Sequence, residues 1–147
     1  MSQFLILLVD DDTELLQIVS SAAEHSFPEA SFLQITSASK AEEYINELDG
    51  KGPKLILLDI NLKADPDGFA FLDFLAAHPV ACSIPVVMLT VSELLDDIKH
   101  AYLSGANAFT TKPFSYEEWK EYLGNLRTYW FKTITLAPIR FRKDRPT

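Results

Sequence analysis

Cysteine is almost absent from this chain. The single Cys82 cannot form an internal disulfide, which excludes a disulfide scaffold. No charged N-terminal stretch leads into an apolar run and a small-residue cleavage site, so the expected compartment is a reducing cytoplasm. Long apolar runs are missing as well. The longest, at 4–9, 55–58 and 84–89, hold four to six residues, far short of the roughly 20 that a membrane helix needs. No membrane is expected as a partner, and the runs read as buried strands. Basic charge is scarce in the body of the chain, where residues 1–131 carry 8 Lys or Arg against 20 Asp or Glu. An acidic body repels the phosphates of nucleic acid, so no nucleic acid is expected either. Residues 132–147 reverse the balance, 5 against 1. Arg140, Arg142, Lys143 and Arg145, between Pro138 and Pro146, are expected to form a solvated, poorly ordered terminus.

The composition that remains is ordinary for a globular chain. Of 147 residues, 48% are hydrophobic and 23% charged, which excludes disorder and collagen and fits about one domain. Strand-like runs at 4–9, 31–36, 54–59, 85–89 and 108–111 alternate with stretches of helical period at 13–26, 39–48, 68–77, 92–104 and 115–126. In the first of these, Leu15, Leu16, Val19, Ala22 and Ala23 share a face. Several stretches open on a capping residue: Asp12 or Thr13, Ser39, Ser92, and Ser115 with Glu118 three residues on. Five strands alternating with five helices predict an α/β fold, a (βα)5 doubly wound parallel five-stranded sheet with helices on both faces. The runs at 4–9, 55–58 and 86–89 are continuously apolar, so they belong at the centre of the sheet. No repeat or linker interrupts residues 1–128, which are expected to form one domain. Residues 129–147 follow as a C-terminal extension, leaving no room for an output domain.

In an open parallel sheet the functional crevice lies at the carboxyl ends of the strands. In this chain those ends carry Asp10, Asp11 and Asp12, then Asp59, then Thr90, then Lys112 before Pro113. Several carboxylates gathered within a few ångströms raise one another's pKa unless a cation compensates them. A hard divalent ion with oxygen ligands is the natural compensator, Mg2+ being usual where phosphate chemistry is involved. Lys112 supplies a mobile positive charge for a phosphoryl oxygen, and Thr90 a hydroxyl donor. The set describes an aspartate that receives a phosphoryl group. Asp12 reads as a helix N-cap more than as a ligand, Asp65 and Asp67 beside Pro66 and Gly68 as turn residues, and Asp96 and Asp97 as a helix surface. His25, His78 and His100 share no metal-like spacing with one another or with Cys82 and read as surface or packing residues.

At these residues the sequence resembles a two-component response regulator receiver domain of the chemotaxis-regulator type. The motifs LLVDDD, LILLDINL, VVMLT and GANAFTTKPF stand in the matching order over roughly residues 3–127. The resemblance implies a sheet of order 2-1-3-4-5 and a phosphorelay role, with Asp59 phosphorylated by a histidine kinase or phosphotransfer protein. It further implies that Asp10, Asp11, Asp59 and the backbone carbonyl of Asn61 hold Mg2+, that Thr90 and Lys112 contact the phosphoryl group, and that Phe109 is a switch aromatic. Catalysis is then confined to the chain's own phosphorylation and dephosphorylation. Three features depart from the family pattern: eight residues separate Asp59 from Gly68, Lys63-Ala64 replaces a common proline, and Val91 stands where a small residue is usual. Tyr129, Trp130 and Phe131 resemble the ends of small stand-alone regulators that partner phytochrome-type kinases. They either cap the domain's own core or anchor a homodimer through the face made by 92–104, 108–111 and 115–126. Two other functions stay open: a phosphorylation-independent scaffold, and a phosphatase of the haloacid dehalogenase type. The phosphatase's Asp-x-Asp-x-Thr/Val motif fails here because Glu14 stands at its last position.

Overall fold

The computed structural model describes residues 4–63 and 66–143, so Ala64, Asp65 and Arg145 lie outside the described residues. Strands β1 (Phe4–Val9), β2 (Ala30–Ile35), β3 (Leu55–Leu58), β4 (Val86–Thr90) and β5 (Ala108–Thr111) alternate with helices α1 (Leu15–Ser26), α2 (Ala38–Glu47), α3 (Gly68–Ala77), α4 (Leu95–Leu103) and α5 (Tyr116–Leu126). All strands pair in parallel in the order β2-β1-β3-β4-β5. The expected (βα)5 sheet and its strand order are therefore both present.

The continuous apolar runs lie in the middle of the sheet because both of their faces are covered. Side chains alternate between faces along a strand. Leu7, Val9, Ile56, Leu58, Val86 and Met88 pack with α2, α3 and Ala101 of α4. Ile6, Leu8, Leu55, Leu57, Val87 and Leu89 pack with α1 and α5. Register keeps each row on one layer: Val9 pairs with Leu58, Leu58 with Met88, and Met88 with Phe109. The buried Tyr122 hydroxyl ties α5 to the sheet. Thr110 Oγ1 donates to the Met88 carbonyl at 2.6 Å and accepts from Tyr122 at 2.7 Å. Burial holds that phenol above its ordinary range.

Several helix starts differ from the sequence expectation. Ser115 does cap α5, accepting from the Glu118 N–H at 3.0 Å. The cap of α2 is Ser37 instead of Ser39. Helix α4 begins at Leu95, because the Ser92 hydroxyl donates to the Asp97 carboxylate at 2.6 Å and accepts from the Leu94 N–H, closing a turn ahead of the helix. Neither Asp12 nor Thr13 caps α1. The Asp12 carboxylate accepts from the Glu14 N–H at 3.0 Å, two residues ahead of the capping position. Asp67 is more than a turn residue, since it caps α3 by accepting from the Ala70 N–H. The histidines pack as expected: His100 stacks on Phe69 at 3.8 Å, and His78 Nδ1 accepts from the Val80 and Ala81 N–H groups.

The largest correction concerns the C-terminal extension. Helix α5 continues through a π-helical segment, Arg127–Thr133, in which Phe131 meets Phe4 edge-on at 5.7 Å and Phe27 at 5.8 Å. Trp130 and Leu136 pack on the same layer. The basic tail is not simply solvated, because beyond Pro138 it crosses to the other layer and buries Phe141. There Phe141 and Gly50 exchange backbone hydrogen bonds at 2.7 and 2.8 Å. A Cβ on Gly52 would lie 2.5 Å from the Phe141 ring, so only glycine leaves room for that ring. Lys143 pairs with Glu47 at 2.7 Å.

Arg127 fixes the start of this extension. Its guanidinium donates to both carboxylate oxygens of Glu29 at 2.7 Å and holds that carboxyl down at about 2. A carboxyl depressed by folding contributes stability above its unfolded pKa and loses it as the pH falls through the folded value. Glu29→Gln is therefore expected to melt below the wild type near neutrality, with the gap closing between about pH 4.5 and 2. Melting curves of both proteins across that window check this; a gap independent of pH contradicts it.

Candidate functional site

Strands β1 and β3 lie side by side with Val9 opposite Leu58, so the residues that follow them, Asp10 and Asp59, emerge next to each other. Both carboxylates are nearly sealed from solvent, at 1% and 6% exposure. Lys112, directly after β5, reaches across to bridge them. Its Nζ donates to Asp10 Oδ2 at 2.6 Å and to Asp59 Oδ2 at 3.1 Å. The remaining oxygens take backbone donors, Asp10 Oδ1 from the Asp12 N–H and Asp59 Oδ1 from the Asn61 N–H. Desolvation raises the Asp10 pKa, and the Lys112 hydrogen bond offsets this only in part. For Lys112, burial alone would lower the pKa, but the hydrogen bond and charge of Asp10, with Asp59 beside it, leave it raised. The ammonium therefore stays charged.

Asp11 completes a group of three. One carboxylate oxygen from each of Asp10, Asp11 and Asp59 lies within 4.8 Å of the others. This is an all-oxygen, anionic donor set that suits a hard divalent cation. Asn61 lines the same cleft, which has a volume of about 590 Å³ and includes Lys63 and Val91 in its wall. Thr90, the last residue of β4, is fully buried. Its Oγ1 accepts from the Ser92 N–H, and its carbonyl accepts from the Lys112 N–H at 2.9 Å, tying the ends of β4 and β5 together. Phe109 is half-buried on β5 and packs on the α2–α4 layer, its N–H donating to the Tyr102 hydroxyl.

The structure thus brings Asp10, Asp11, Asp59 and Lys112 into one constellation with Asn61 in the same cleft, while Thr90 is buried at the end of β4, tied to Lys112 through the backbone, and Phe109 lies on β5. Two residues hold the site's loops in ways the sequence does not announce. Gln34, near the end of β2, donates from Nε2 to the carbonyls of Asp10 and Asp12 at 2.8 and 2.7 Å and shapes the loop that presents the acids. Gly68 abuts the end of β3, and a Cβ there would lie 2.2 Å from the Asp59 carbonyl oxygen. A glycine at the mouth of a helix beside a carboxylate is the only hint of that contact.

Comparison with known proteins agrees with this geometry. The chain is 30% identical over 130 residues to the probable methanogenesis regulatory protein FilR2 of Methanothrix harundinacea, covering 86% of this chain and 83% of that one. It is 27% identical over 135 residues to the response regulator Rcp1 of Synechocystis, covering 89% and 91%. The Mn2+-bound form of Rcp1 superposes with a TM-score of 0.79 over 92% of this chain and 99% of that one. The phosphorylated cyanobacterial phytochrome response regulator RcpA superposes with a TM-score of 0.83 at 27% identity, over 93% of this chain and all of that one. The family model of the response regulator receiver domain matches residues 6–123, and the chain belongs to that family.

Proposed function

We propose that the chain is a phosphorylation-controlled switch in which Asp59 accepts a phosphoryl group from the phosphohistidine of a histidine kinase or phosphotransfer protein. The observation that carries this reading is the Lys112 bridge between Asp10 and Asp59 at the mouth of an open cleft. A carboxylate oxygen of Asp59 attacks phosphorus, a new P–O bond forms, and the bond from phosphorus to the donor nitrogen breaks with its electron pair on that nitrogen. Lys112 is placed to meet a phosphoryl oxygen as charge builds there, and the Thr90 hydroxyl is the donor on the β4 side. Asp10, Asp11, Asp59 and the carbonyl of Asn61 would hold Mg2+, which supplies charge neutralisation for the phosphoryl oxygens. Hydrolysis by water returns the carboxylate and inorganic phosphate, so the only catalysis is on the chain itself.

Phosphorylation draws Thr90 toward Asp59 and frees space for Phe109 to turn inward, biasing two arrangements of the β4–α4 region. Helix α4 suits such a shift. It buries only Ala101, has no side-chain cap, and leaves Leu95, Tyr102 and Leu103 in solvent. The reader of that surface is a second copy of the chain. Phe131 and Trp130 already pack on their own core, so the dimer contact falls to α4 and not to those two rings.

Three outcomes test this reading. Asp59→Asn keeps the side-chain shape but is not nucleophilic, so Phos-tag gels with acetyl phosphate and Mg2+ should show a shifted band for the wild type and none for the variant; labelling at the wild-type level rejects Asp59. Mg2+ at tenfold its dissociation constant should add about 1.4 kcal/mol by mass action, about 3–5 °C in melting temperature at this length. Asp11→Ala should abolish that response, and a wild type indifferent to millimolar Mg2+ contradicts the metal site. Beryllofluoride with Mg2+ should raise the sedimentation mass from 16.5 kDa toward twice that at tens of micromolar, and Leu103→Glu should prevent it. A wild type that stays monomeric with beryllofluoride removes the dimer.

A further inference from the structure

The cleft at Asp59 is a hostile place for a phosphate to enter. Asp10, Asp11, Asp12, Glu14 and Asp59 all line it, and a phosphoryl donor approaches as a dianion. Among the described residues, two ammonium groups oppose the five carboxylates. One of them, Lys112, is engaged inside the cleft by Asp10 and Asp59. The other is Lys63, in the wall on the β3–α3 side near Asn61 and Val91.

Lys63 differs from Lys112 in each relevant respect. It is exposed, and among the described residues no carboxylate pairs with it. Its backbone has φ +56°, the only positive φ at a non-glycine position among the described residues. A long unbranched side chain is uncommon in this left-handed region, which carries a conformational cost. An ammonium with no carboxylate partner among the described residues is thus held, at some strain, on the rim of a cleft whose other described charges are almost all negative. An ordinary solvated lysine needs neither the strained backbone nor that position.

We propose that Lys63 is a second phosphate-binding cation of the cleft, meeting the outer oxygens of the incoming phosphoryl dianion while Lys112 serves the inner one. The proposal rests on Asp59 being the acceptor. Lys63 thereby offsets the repulsion of Asp11, Asp12 and Glu14 and favours dianionic donors. Because it acts through charge at an exposed rim, its effect is modest and screened by salt.

The test is the initial rate of Asp59 labelling by subsaturating acetyl phosphate with Mg2+, in the wild type, Lys63→Asn and Lys63→Arg. Asparagine tolerates the left-handed backbone, so that variant removes the charge without removing the turn. At low ionic strength Lys63→Asn is expected to be labelled about three- to tenfold more slowly, and Lys63→Arg within about twofold of the wild type. At about 1 M salt, where the Debye length is about 3 Å, the deficit should disappear. Phosphoramidate, a donor of lower negative charge, should show a smaller deficit than acetyl phosphate. Equal rates for the wild type and Lys63→Asn at low salt overturn the proposal while leaving Asp59 as the acceptor. A deficit that persists unchanged at high salt, or that Lys63→Arg shares in full, also overturns it by assigning Lys63 a structural role. A wild type with no label at Asp59 overturns the acceptor reading and this proposal together.

Discussion

Two carboxylates held side by side with almost no access to water set the terms for the rest of this molecule. Asp10 and Asp59 repel each other, and burial penalises the charge of Asp10. One ammonium between them balances the pair at 2.6 and 3.1 Å. Buried ion pairs of this kind contribute little net stability, because desolvation offsets the Coulombic attraction. The arrangement is therefore imposed by the scaffold. The three continuously apolar strands, with side chains divided between two packed layers, supply the burial that keeps the strand ends together, at roughly 1.5–3 kcal/mol for each large aliphatic side chain. The register of β1 against β3 then leaves the acids no choice of neighbour.

That dependence explains what was legible in the sequence. A strand covered on both faces loses its polar alternation, so β1, β3 and β4 announce themselves as unbroken Val/Leu/Ile runs, and the polar residues that end them mark the site. The order of the sheet and the convergence of Asp10, Asp59 and Lys112 could be read from that pattern and the family motifs. Helix starts were less legible, because a hydroxyl can serve several acceptors. Ser92 looks like a cap until Asp97 claims its proton. Gln34 is one polar residue near the end of an outer strand, and nothing local distinguishes it from a solvated glutamine.

The packing of the C-terminal extension is less legible for a different reason. Its charges follow a familiar pattern of frayed termini, whereas its anchor is a single ring. Phe141 reaches Gly50 and Gly52 across some ninety residues of sequence, a contact without any local period. Phe131 and Trp130 sit on one layer while Ile139 and Phe141 sit on the other. The extension consequently clasps both halves of the core, and two of the three aromatics that resemble a partner-binding appendage, Trp130 and Phe131, are part of the domain's own packing.

The close approach of Gly68 to Asp59 bears on how this loop tolerates change in length. With no space for even a methyl group between the first residue of α3 and the carbonyl of Asp59, the two ends of the connection are stapled to each other. The Gly68 N–H adds a second staple, donating to the Ile60 carbonyl at 3.1 Å. Inserted residues cannot push α3 away from the sheet and must bulge outward as an omega-shaped excursion whose neck stays fixed. A change of length between those two contacts is thus absorbed away from the neck, while Asp59 keeps its aim.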